Sequence, residues 1–229
     1  MPRLRILAAL AMTALLAACA PQPTAPERQI PGAAPSEFPQ SFYDQAAARG
    51  EPVYRVDPRQ SVVTIVVRRG GSLARLGHDH VVAAHNVAGY VAPQTGRADL
   101  YVALDGLAVD EPDLRKEAGF DTQPTESDIA GTRANMLDKV LETQKFPYAL
   151  INIGLSRGQL AVTITLHGTT RTLQVPATLA VSDARVGATG RLAINQTDFG
   201  ITPFSILGGA VAVQDRLELS FDVRADRLK

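Results

Sequence analysis

The strongest constraint in this chain is an alternation of period two, repeated in short runs. Leu160, Val162, Ile164 and Leu166 alternate with Ala161, Thr163, Thr165 and His167. Successive side chains on a β-strand point to opposite faces, so this pattern predicts a strand with one apolar face. The same period recurs over 61–68 (Val63, Ile65, Val67), 98–109, 151–155, 173–181, 192–194 and 217–223 (Leu217, Leu219, Phe221). Each run is short and bounded by Gly, Asp, Asn or Pro. Seven or eight such strands predict an antiparallel barrel or sandwich. The inward phase of an eight-stranded barrel is either filled by side chains or holds one small ligand. Here that phase is aliphatic, which suits an apolar molecule.

Two segments follow helical spacing instead. Phe38, Phe42 and Ala46 recur every four residues and Gly50 follows them, which predicts a short amphipathic helix over 36–49. Ile129, Met136, Leu137, Val140 and Leu141 predict one inserted helix over 125–142. Thr125 and Asp128 are spaced as a capping box, and Lys145-Phe146-Pro147 ends the segment.

The N-terminal segment reads as an address. Arg3 and Arg5 precede an uncharged run over 6–18, which is the length of a signal-peptide core and short of the roughly 20 residues a membrane-spanning helix needs. The run ends in Leu16-Ala17-Ala18-Cys19, which resembles the bacterial lipobox, and Cys19 is the only cysteine. This predicts a signal peptide over 1–18 and a lipidated, palmitate-bearing Cys19. A proline-rich tether and the short helix follow over 19–50, and a β domain over 51–229. The lipid would attach the protein to a membrane. The non-acidic Ala20 and Pro21 suggest, by analogy with lipoprotein sorting, the periplasmic face of the outer membrane.

Composition removes several function classes. Lys+Arg and Asp+Glu both number 23, so there is no basic surplus to neutralise the phosphates of a nucleic acid. Trp is absent, and aromatics make up only 5%, too few for base-stacking platforms. A single cysteine excludes a disulfide framework and a Cys-rich metal module. The chain has no Gly-x-Ser-x-Gly elbow, phosphate-binding loop or His-Glu-x-x-His. Asp110, Glu111 and Asp113 read as a solvated turn rather than a catalytic carboxylate pair. The expectation is a binding protein, not an enzyme.

A set of short motifs resembles the YceI-like family. Tyr54-Arg55-Val56-Asp57-Pro58 followed by the strand from Val63 is similar to the opening of these domains. Phe146-Pro147-Tyr148, Leu166-His167-Gly168-Thr169-Thr170-Arg171, Asn195-Gln196-Thr197-Asp198-Phe199-Gly200 and Asp215-Arg216-Leu217-Glu218-Leu219 resemble later family elements, in order. The resemblance implies a lipocalin-like antiparallel β-barrel of about eight strands, facing the periplasm. Its interior would hold an isoprenoid chain, as a polyprenyl lipid or quinone. It also implies that Val63, Ile65 and Val67 point inward. Carried over the same way, Leu160, Val162, Ile164, Leu166, Leu217, Leu219 and Phe221 become candidate cavity residues. The alternative use for all ten is as filler of a solid core.

One stretch departs from the family pattern. Three of the four histidines, His78, His80 and His85, lie within 78–85 together with Asp79. His78 and His80 share one strand parity, while Asp79 and His85 share the other. Three readings stand open: hydrogen bonding in a barrel rim, a polar clamp at the cavity mouth for a head group, or a Zn or Cu site. The last gives the alternative function, a metal- or redox-linked envelope protein. Arg133 and Asn135 stand where relatives often carry Arg and His, and here that His is missing.

Overall fold

The computed structural model describes residues 34–156 and 159–228. Cys19, the segment 1–18 and most of the proline-rich tether lie outside the described residues.

The fold is mainly β and antiparallel. Its strands are β1 (Tyr54–Val56), β2 (Val62–Gly70), β3 (His80–Ala84), β4 (Ala88–Ala92), β5 (Arg97–Ala103) and β6 (Ala108–Val109). These are followed by β7 (Tyr148–Ser156), β8 (Gln159–Leu166), β9 (Thr169–Val175), β10 (Ala177–Val181), β11 (Arg185–Asn195), β12 (Ser205–Ile206) and β13 (Val211–Arg227). The ladder runs β6-β3-β2-β13-β1-β4-β5-β7-β8-β9, and β11 joins the other edge of β13 and carries β10. The long strand β13 serves both β2 and β1 along one edge.

A barrel of about eight strands is expected; among the described residues the sheet has thirteen, and its ladder ends at β6 and β9 without a pairing that closes it. The difference has local causes. The run over 98–109 is interrupted by a tight turn at Leu104–Gly106. The run over 173–181 is split by Pro176, which has no amide hydrogen to give to a ladder. Strands β3 and β4 gave no alternating signal because most of their residues are buried on both faces.

Helix α1 (Gln40–Ala48) lies against the outer face of β4 and β5, with Tyr43 and Ala46 fully buried. The buried stripe is therefore turned from the predicted Phe38–Phe42–Ala46 line toward Tyr43. Burial beside the Asp99 carboxylate, to which it donates at 2.6 Å, pushes the Tyr43 hydroxyl pKa upward. Asp99 also accepts from Arg97 at 2.6 Å and from Asn152.

Between β6 and β7 there are two helices, not one. Helix α2 (Pro112–Glu117) has Pro at its start, Asp113 in its first turn, and Arg115 and Lys116 in its last. Those are helix signals, hidden in sequence by an acidic stretch that reads as a turn. Helix α3 (Glu126–Asn135) begins at the expected Thr125–Asp128 capping box and continues into a π-turn at Met136–Val140. Ile129, Met136 and Leu141 pack onto the main core.

Candidate functional site

The apolar faces of the strands line a cavity of about 510 Å³. Residues from ten strands line it, and each strand contributes mostly alternate positions. All ten candidate residues border it: Val63, Ile65, Val67, Leu160, Val162, Ile164, Leu166, Leu217, Leu219 and Phe221. Register sets many of them side by side. Val63, Ile65 and Val67 stand opposite Phe221, Leu219 and Leu217, and Val162 stands opposite Ile153. Met136, Val140 and Leu141 contribute from the α3 end.

The histidine segment splits by parity. His78 and His80 line the cavity, with ring centroids 6.2 Å apart. Asp79 accepts from the Arg69 amide at 2.8 Å and pairs with the Arg68 and Arg69 guanidinium groups. His85 meets Glu111 at 2.7 Å.

His80 belongs to a buried network that the sequence did not reveal. Its Nδ1 lies 2.6 Å from Asp110, whose other oxygen accepts from Arg115 at 2.6 Å and from the Val81 amide at 3.0 Å. Asp110 is therefore not part of a solvated turn; it is 2% exposed and holds a positive φ of 57°. Burial alone would raise its pKa, but the bonds from His80, Val81 and Arg115 hold the carboxyl below the usual carboxylate range. A carboxylate only accepts, so His80 donates from Nδ1, and its Nε2 is left outside that bond. The Nδ1 of His78 is buried without a partner.

This geometry does not favour the metal reading. Among the described residues, no group of three or more His, Cys, Asp or Glu is arranged to hold a metal ion. Asp79 is engaged by arginines, and His167 is bound to Glu142 at 2.7 Å. The two rings border the cavity itself, at an end covered by α3 and the loops near Gly77 and Phe204, and Arg115 of α2 bonds to the Asp79 carbonyl between them.

The family model for YceI-like domains matches residues 54–225. The chain belongs to the YceI-like family. Two solved structures share the YceI-like architecture. One is a polyisoprenoid binding domain from Saccharophagus degradans: 14% identity, TM-score 0.55, covering 76% of this chain and 98% of that one. The other is BcnA from Burkholderia cenocepacia: 16% identity, TM-score 0.52, covering 74% and 98%. At such identities the likeness is one of fold. No curated protein matches the chain.

The remaining YceI-like motifs are structural. His167 and Gly168 both take positive φ in the two-residue turn between β8 and β9, as a tight hairpin requires. A Cβ on Gly168 would come within 2.9 Å of the Phe146 ring, which ties the Phe146-Pro147 element to this turn. In Asn195–Gly200, Gly200 takes a positive φ of 72°. Asp198 accepts from the Asn195 side chain, while the Thr197 amide is satisfied by Asp215 at 2.9 Å. Arg133 donates to the carbonyls of Leu107 and Asp105, pinning α3 in place, and Asn135 faces the cavity.

Proposed function

We propose that this protein holds an isoprenoid or similar apolar lipid, including a quinone tail, inside a sheet wrapped as a lipocalin-like barrel. The observation that carries this reading is the cavity of about 510 Å³ walled by Val, Leu and Ile from ten strands. Its size falls in the roughly 300–1,000 Å³ range of small-molecule sites. An apolar cavity gains by being filled with an apolar guest rather than water. The relative from Saccharophagus degradans, named as a polyisoprenoid binding domain, supports the same ligand class. The reading is one of binding, not catalysis.

The lipobox-like Leu16–Cys19 segment supports a further part of the proposal. Cys19 carries the lipid, and the domain stands off the periplasmic face of the outer membrane on its proline-rich tether.

A fluorescent apolar probe tests the cavity. The parent protein should bind 1-aminoanthracene and release it to prenyl alcohols. Ile164→Trp, which fills the bore from the wall, should lose that binding without losing its cooperative melting. Equal probe binding by parent and variant would place the probe elsewhere and contradict the reading.

A further inference from the structure

The cavity has two unlike ends, and the strand registers measure the distance between them. His80 pairs with Val67 and Val67 with Leu217, whereas Val181 pairs with Val186 and Val186 with Ala225. Leu217 and Ala225 lie eight residues apart on β13. At about 3.3 Å per residue that is roughly 26 Å.

The first end is covered and polar. His78 brings a buried ring nitrogen with no partner, and His80, fixed by Asp110, has Nε2 left over. Thr132 and Asn135 of α3 border the same cavity. Around this end the three cations are outnumbered by acids: Arg68 and Arg69, the latter bordering the cavity, pair with Asp79, Glu218 and Asp121, Arg115 pairs with Asp110, and Asp128 of α3 lies near both rings. This end therefore offers hydrogen bonding and no surplus cation for a phosphate.

The second end is open and apolar. Among the described residues that line the cavity, Leu179 and Val181 alone are exposed, by 39% and 65%. Both lie on β10, which pairs only with β11. Exposed apolar side chains that continue an apolar wall mark where that wall meets its ligand or solvent.

We infer that the bound amphiphile lies head-in: an uncharged hydroxyl head group bonds to His78 and His80 at the covered end, and the apolar tail runs down the bore and leaves past Leu179 and Val181. This inference rests on the lipid-holding reading and adds the head-group class and the ligand's direction. It also means that the cavity sets no upper limit on tail length, because the tail occupies the end that opens to solvent.

The test uses farnesol carrying a diazirine at its tail terminus, irradiated with the full chain, and the labelled peptides are mapped. The expected label falls within 177–187 and is competed away by geranylgeraniol. Competed label within 76–84 would overturn the head-in direction and leave the cavity reading intact. Label that geranylgeraniol does not compete would overturn both. In a second measurement, His78→Phe keeps a ring at a position whose Nδ1 has no protein partner. It should weaken geranylgeraniol about tenfold and leave the matching hydrocarbon without a hydroxyl unchanged. Equal losses for both probes would reduce His78 to a piece of wall and overturn the head-group assignment.

Discussion

The two ends of the cavity solve opposite problems. At the covered end, His80, Asp110 and Arg115 of α2 form one network in which the buried Asp110 and Arg115 charges partner each other. At the β10 end, Leu179 and Val181 stay in contact with solvent while they continue the apolar wall. Burying an unpaired polar nitrogen such as His78 Nδ1 costs about 1–3 kcal/mol. Exposing aliphatic surface forgoes about 25 cal/mol per Å². A single amphiphile that presents a hydroxyl to one end and a hydrocarbon chain to the other relieves both costs together. The difference teaches that the cavity has a direction, and that stability resides at one end and access at the other.

The largest effect expected from breaking this contrast is at Asp110. Asp110→Ala strands Arg115 in the protein with no anionic partner, so stability should fall by about 3–5 kcal/mol in urea titration. A loss below about 1 kcal/mol would mean that the carbonyls of Asp79 and Thr122 suffice to hold Arg115.

The same residue sharpens the contrast through pH. The folded-state pKa of Asp110 is depressed, so its contribution is complete above the unfolded carboxylate value and fades as pH falls through the folded one. Stability measured against pH should decline below about pH 4, and the decline should be shallower in Asp110→Asn. Parallel curves for parent and variant would remove Asp110 from the account.

A middle-sized effect is expected outside the cavity. Tyr43→Phe deletes the bond that fastens α1 to Asp99 and should cost about 1–2 kcal/mol by thermal melting. Retention of the apolar probe should be unchanged, because this network lies on the outer face of β4 and β5. The smallest effect belongs to the open end. Val181→Asn should change stability by no more than about 0.5 kcal/mol. A loss comparable to that of Asp110→Ala would dissolve the distinction between the two ends.

The legibility of the sequence follows the same division. Strands β2, β8 and β13 face the cavity on one side and solvent on the other, so Val63–Val67, Leu160–Leu166 and Leu217–Phe221 wrote the alternation plainly. The capping box of Thr125 was legible because its two bonds are local. Strands β3 and β4 are covered on both faces, so Val81–Ala84 carries no period. The covered end was the least legible. His80 and Asp110 are thirty positions apart, and Asp110 sits in an acidic stretch that masks the short helix α2. Without that helix nothing in the sequence buries the carboxylate, and the histidines read equally as rim, clamp or metal ligands. Register and burial separate what the sequence alone left together.

The most direct test of the central claim is the intact mass of the full chain, purified without detergent and measured under native conditions. The account predicts a mass above that of the polypeptide by one apolar molecule that is released on activation, extracts into organic solvent and is absent from Ile164→Trp. The bare polypeptide mass in the parent, or the same bound molecule in both proteins, would contradict it.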